Sequence, residues 1–285
     1  MRAITIRPSL SGWVRLIAWL AVRIAALLTV SLSLWTGSAP AETPCAPPDQ
    51  MKAQFADKPN ASAYNDLGVW FAGQKQYACA ADAFATSLQM EPRQKDLPHI
   101  AFMFGVALDF SGDQKEAIGA LQEAEQLGYR AINLHVILAT ALDSAHETKQ
   151  AENEWRAALE FDPELSSGLD ALSNDLLADG DFKGVIAALE QPRLLGQRTP
   201  QQSLNLAAAY AGVGNEEKAA GVLRDGLNTS PDSLTLANKL ADSLVQLKRP
   251  DEALTVLQLA HEQHPDDAQT STHLATVLAL PGSGK

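Results

Sequence analysis

Basic residues are scarce: 22 Lys and Arg stand against 34 Asp and Glu in 285 residues, a formal net charge of −12. A chain so acidic repels phosphates and anionic head groups, which excludes nucleic acid as a partner. Cysteine is nearly absent, with two residues, so no disulfide framework can replace a hydrophobic core. Aromatics make up only 6% of the chain while Ala and Leu are abundant, a mixture that suits close helix packing better than sheets. Disorder throughout is excluded in turn, because 46% of the residues are hydrophobic.

The N-terminal segment has its own character. It carries Arg2, Arg7, Arg15 and Arg23 and no acid, then an apolar run from Ile24 to Leu34, then Ala39-Pro40-Ala41. This is the pattern of a secretory signal peptide over residues 1–41, with cleavage expected after Ala41. Loss of those four arginines takes the formal charge from −12 to −16. The competing expectation is an uncleaved anchor, since Leu16 to Leu34 is long enough to span a bilayer if Arg23 snorkels. Export places Cys45 and Cys79 where disulfides persist, and two readings stay open: one staple between them, or two free thiols.

Beyond residue 60 a strict period organises the chain. Gly105, Ala139, Ser173, Ala207, Ala241 and Ala275 recur every 34 residues, and Gly68 heads one more unit offset by three residues. Units therefore begin near Ala61, Pro98, Ile132, Ser166, Pro200, Leu234 and Ala268, the last a half unit. Large apolar residues occupy the seventh and eleventh positions, such as Leu67 and Phe71, four apart on one helix face. After a polar break a second set appears at the twentieth and twenty-fourth positions: Ala80, Ala117, Ala151, Val185, Ala219 and Ala253, then Phe84, Leu121, Trp155, Leu189, Leu223 and Leu257. Each unit is thus predicted to be a helical hairpin that buries its apolar face only by stacking on its neighbours. Pro192 should end the second helix of the fourth unit near Glu190, with Thr199-Pro200 restarting the chain.

Tyr64, Leu67, Gly68, Phe71, Ala80, Phe84 and Pro92 in the first unit make the chain resemble the tetratricopeptide repeat family from Ala61 to about Leu280. The resemblance implies an all-α, right-handed superhelical solenoid of about six helix-turn-helix units with a C-terminal capping helix. The expected organisation is a signal peptide over 1–41, a Pro-rich linker over 42–60, the solenoid over 61–280 and a flexible tail over 281–285.

Chemistry-bearing motifs are weak. His261-Glu-Gln-His264 falls one residue short of the zinc-protease spacing, and Gly282-Ser-Gly-Lys285 has no strand before it or helix after it. The expectation is a non-enzyme with no catalytic residue, no cofactor and no metal.

Resemblance also says where a partner would lie, because in this family the second, fifth, ninth, twelfth and thirteenth positions line the inner groove. The chosen partner-binding residues are Phe102, Val106, Asp109, Phe110, Val136, Thr140, Asp143, Asp170 and Asn174. The fifth and sixth units place Leu204, Ala208, Ala211, Thr235 and Asp242 at the same positions. None of these positions holds Lys or Arg, so the carboxylate clamp of the chaperone-docking relatives is missing. What this implies is a periplasmic interaction scaffold for a protein or peptide partner of basic character, with no membrane contact after cleavage. The alternative is a membrane-anchored structural component of an envelope assembly.

Overall fold

In a computed structural model, residues 45–91, 95–191 and 197–280 are described. The predicted signal segment, Pro192 and the C-terminal tail lie outside them. The chain divides into two compact units, Met1–Pro48 and Asp49–Lys285. Of the first, residues 45–48 take no regular secondary structure. Cys45 and Cys79 are both disulfide-bonded.

The second unit opens with a 3-10 helix, Asp49–Phe55. Its Met51 is buried, and its Phe55 ring meets Tyr64 edge-on at 5.2 Å. Thirteen α-helices come next among the described residues, with no strand. They alternate as first and second helices of successive hairpins: α1 Ala61–Gly73, α2 Tyr77–Met90, α3 Leu97–Ser111, α4 Gln114–Gln126, α5 Ile132–Ser144, α6 Thr148–Phe161 and α7 Ser166–Ala178. Then come α8 Phe182–Leu189, α9 Pro200–Gly212, α10 Glu216–Thr229, α11 Leu234–Gln246, α12 Pro250–Gln263 and α13 Ala268–Leu278. Odd helices start where the repeat phase places them.

The core explains the spacing. Every residue at the twentieth and twenty-fourth positions of the six hairpins is buried. The small twentieth residue lets the two helices approach, and the large twenty-fourth fills the gap against the first helix. In the first two hairpins a glycine at the eighth position makes that room: a Cβ on Gly68 would sit 2.7 Å from Phe84 Cδ1, and one on Gly105 2.7 Å from Leu121 Cγ. Burying each such Leu or Phe stabilises by about 1.5–3 kcal/mol. At the far end, Leu278 holds the eleventh position of the half unit and is 52% exposed, because no second helix succeeds it among the described residues.

The hairpin turn repeats as strictly as the helices. Lys75, Gly112, His146, Gly180, Gly214 and Lys248 occupy the fifteenth position of their units, and all six have φ between 59° and 95°. The second helix must leave almost antiparallel after one tight turn, and a left-handed residue reverses the chain there. Glycine meets that need in three units; in the others a side chain sits in a conformation that costs about 1–2 kcal/mol.

The fourth unit departs from the rest. Helix α8 has only 8 residues and ends at Leu189, whose carbonyl accepts from Arg198 Nε at 2.9 Å. Helix α9 restarts the chain through a capping box, Thr199 with Gln202, followed by Pro200. With so short a helix between them, α7 and α9 pack on each other more extensively than other successive first helices. Their contact is polar. Asn205 Nδ2 donates to Ser173 Oγ and to Asn174 Oδ1, each at 2.8 Å, and Gln202 Nε2 donates to Ser166 Oγ at 3.2 Å. Ser173, Gln202 and Asn205 are buried in this seam.

Candidate functional site

The partner-binding residues chosen from the sequence do not form one open surface. Phe102 is 4% exposed and stacks on Tyr129 at 4.5 Å between ring centroids, so it belongs to the core. That corrects the expectation that it faces a partner: Tyr129, just past α4, folds over the ring. Phe110 is 60% exposed and stacks on Tyr77 of the neighbouring hairpin. Val106 and Val136 are half-buried against the core. Asp109 is half-buried, and burial holds its carboxyl above the usual range.

Several of the chosen polar groups are already engaged inside the fold. Asp143 Oδ2 accepts from the Trp155 indole at 2.8 Å. Asp170 Oδ1 accepts from Thr199 Oγ1 at 3.3 Å, and Asn174 Oδ1 from Asn205. Thr140 Oγ1 donates back to the Val136 carbonyl at 2.8 Å, leaving an exposed side chain that a neighbour on its own helix already satisfies. The third and fourth units use their first-helix polar residues to hold the repeats together.

An open groove lies further along, on the first helices of the fifth, sixth and last units. One cavity of 390 Å³ has Leu204, Ala207, Ala208 and Ala211 of α9 on one wall and Thr235, Lys239, Asp242 and Gln246 of α11 on the other. A second, of 460 Å³, runs from Asp242, Val245 and Gln246 to His273, Thr276 and Leu280. Asp242 and Gln246 border both, so the two are successive parts of one groove. Ala207, Ala208 and Ala211 keep it open, because only methyls project from those three positions. Asp242 stands between Lys239 Nζ at 3.8 Å and His273 Nδ1 at 3.7 Å. The five-position template included Ala208, Ala211, Thr235 and Asp242 but passed over Lys239, which sits one position after the fifth and still reaches the groove.

Among the described residues, one set of donor groups could hold a metal: Glu125, His135 and Glu154.

A family model described as Tetratricopeptide repeat matches residues 210–275, which begin within α9 and end in α13. Residues 210–275 belong to the tetratricopeptide repeat family. Solved tetratricopeptide repeat structures share its fold. The C-terminal part of a TPR repeat-containing protein from Cytophaga hutchinsonii aligns with a TM-score of 0.56 at 15% identity, covering 74% of this chain and 84% of that one. A tetratricopeptide repeat protein from Parabacteroides merdae gives 0.52 at 13%, covering 76% and 85%. YrrB, described as a TPR protein with an unusual peptide-binding site, gives 0.52 at 19%, covering 67% and 97%. At such identities the likeness is one of fold. No curated protein matches the sequence.

Proposed function

We propose that this chain is an extracytoplasmic scaffold that binds extended segments of partner proteins in the groove along α9, α11 and α13. The continuous groove shared through Asp242 and Gln246 carries the reading. Its alanine floor admits apolar side chains of a bound segment, while Asp242, Glu216 and Gln246 offer acceptors to a basic or amide-bearing one. The peptide-binding site named for YrrB supports the same use of the fold. Export is supported by the signal-like first 41 residues and by two cysteines in disulfide form, a state that persists outside the cytoplasm. Among the described residues no helix is long and apolar enough to cross a membrane.

The test is peptide display panned against the chain beginning at Glu42. Ligands should be enriched in basic and apolar residues, and Ala211→Trp, which fills the groove, should weaken them at least tenfold without lowering the melting temperature. Binding unchanged in Ala211→Trp would move the site elsewhere. Mass spectrometry of the native N-terminus decides between the exported scaffold, which begins at Glu42, and the anchored alternative, which retains residues 1–41.

A further inference from the structure

We infer that Glu125, His135 and Glu154 form a binding site for one divalent ion of the zinc type, remote from the groove and independent of it. His135 projects from α5 into the core and is 4% exposed. Its Nδ1 lies 2.8 Å from Glu154 Oε2 on α6. Glu125, in the last turn of α4, brings a third donor, and the three donor atoms all lie within 4.8 Å of one another. Both carboxylates are half-buried, and the Phe161 ring stands 5.5 Å from the imidazole as an apolar wall. Arg130, five residues after Glu125, is turned to the main chain, where its Nη1 donates to the Glu125 carbonyl at 2.7 Å and the Tyr129 carbonyl at 3.0 Å.

The donor set selects the ion. One imidazole nitrogen with two carboxylate oxygens suits zinc and its transition-metal neighbours, whereas calcium and magnesium take six or more ligands, all oxygen. Ligands at about 2.0–2.2 Å from a tetrahedral ion stand roughly 3.3 Å apart. The His135 to Glu154 gap must therefore open by about 0.5 Å and the Glu125 carboxylate swing inward, movements within the reach of side-chain torsions. Three protein ligands leave the fourth place to water. An ion on Nδ1 takes the place of the proton in the hydrogen bond to Oε2, and in the neutral imidazole that proton moves to Nε2.

The site also has a structural consequence. Glu125 belongs to the second hairpin, and His135 and Glu154 to the third, so an ion would fasten two adjacent repeats across their seam. Sequence reading misses it because the ligands come from three helices, and no His-x-His or Cys-x-x-Cys spacing marks them.

Calorimetric titration of the full mature chain with zinc chloride alone, in chelator-free buffer, tests the site alongside thermal melts. One ion per chain should bind and raise the melting temperature. Glu125→Gln, at a half-exposed position where folding tolerates the change, should lower the affinity at least tenfold and abolish the rise; Glu154→Gln should do the same. His264→Gln should change neither. No saturable uptake, an affinity unchanged in Glu125→Gln, or uptake lost with His264→Gln would each overturn the inference, the last by assigning the ion to the His261 and His264 pair.

Discussion

The indole Nε1 of Trp155 on α6 donates to Asp143 Oδ2 on α5 at 2.8 Å, so the carboxylate that a groove template assigns to a partner is spent inside its own hairpin. Replacing Asp143 by Ala leaves a largely buried indole N–H without an acceptor, which costs about 1–3 kcal/mol. Asp143→Asn keeps an oxygen facing the indole and should cost far less. Guanidinium unfolding of the two variants checks this; equal losses would mean that the indole bond contributes nothing.

Asp175 gives the third and fourth units a pH response. Its Oδ2 is buried without a donor, and burial, then the negative charges of Asp143 and Glu152, push its carboxyl up to about 6. A folded-state value above the unfolded 3.8 means that the folded form takes up the proton first. The penalty is therefore full above about pH 7 and is relieved as pH falls through 6 toward 4. Asp175→Asn should flatten this dependence and stabilise the chain at pH 8. Allowing for screening by solvent, the gain is on the order of 1 kcal/mol, or about 2–4 °C. Melting curves from pH 4.5 to 8 would refute it if wild type and variant ran parallel.

Phe102 and Phe110 share one helix and should behave oppositely. Phe102→Ala removes a core ring stacked on Tyr129 and should cost roughly 3–5 kcal/mol. Phe110→Ala removes an exposed ring stacked on Tyr77 and should cost no more than about 1.5 kcal/mol. Urea unfolding separates the two, and similar losses would contradict the assignment of Phe102 to the core.

Lys75, His146 and Lys248 occupy the left-handed turn position that glycine fills elsewhere, and all three side chains are exposed. Changing each to Gly relieves strain at some cost in unfolded-chain entropy, for a net gain of about 0.5–1 kcal/mol. The triple variant should melt several degrees higher. A lower melting temperature would show that these side chains make contacts worth more than the strain.

The parts of this fold legible in the sequence are those that the 34-residue period repeats. Small residues at the eighth and twentieth positions and large ones at the twenty-fourth located the hairpins, because one packing rule is applied six times. The short α8 could be read in advance as well, since proline permits few outcomes inside a helix. What stayed hidden arises where units differ. The burial of Phe102 depends on Tyr129 beyond the next helix, and the cluster at His135 draws on three helices. Asn174 reads as a groove residue and Ser173 as a small packing residue until α7 and α9 are seen to touch. The groove itself was visible by position in the fifth and sixth units, but apolar and aromatic content drew attention to the second and third, where Phe102 packs inside.

The seam between α7 and α9 gives the array an address. Leu and Ala stripes are nearly interchangeable from hairpin to hairpin, so a chain built of them alone could stack out of order, or exchange hairpins with another copy, at little energetic loss. Amides and hydroxyls that match each other remove that freedom: Asn205 set against any other first helix would meet glycine or alanine in place of Ser173. The ladder of repeats is thereby counted from one internal mark, and the hairpins on either side keep their order in the stack.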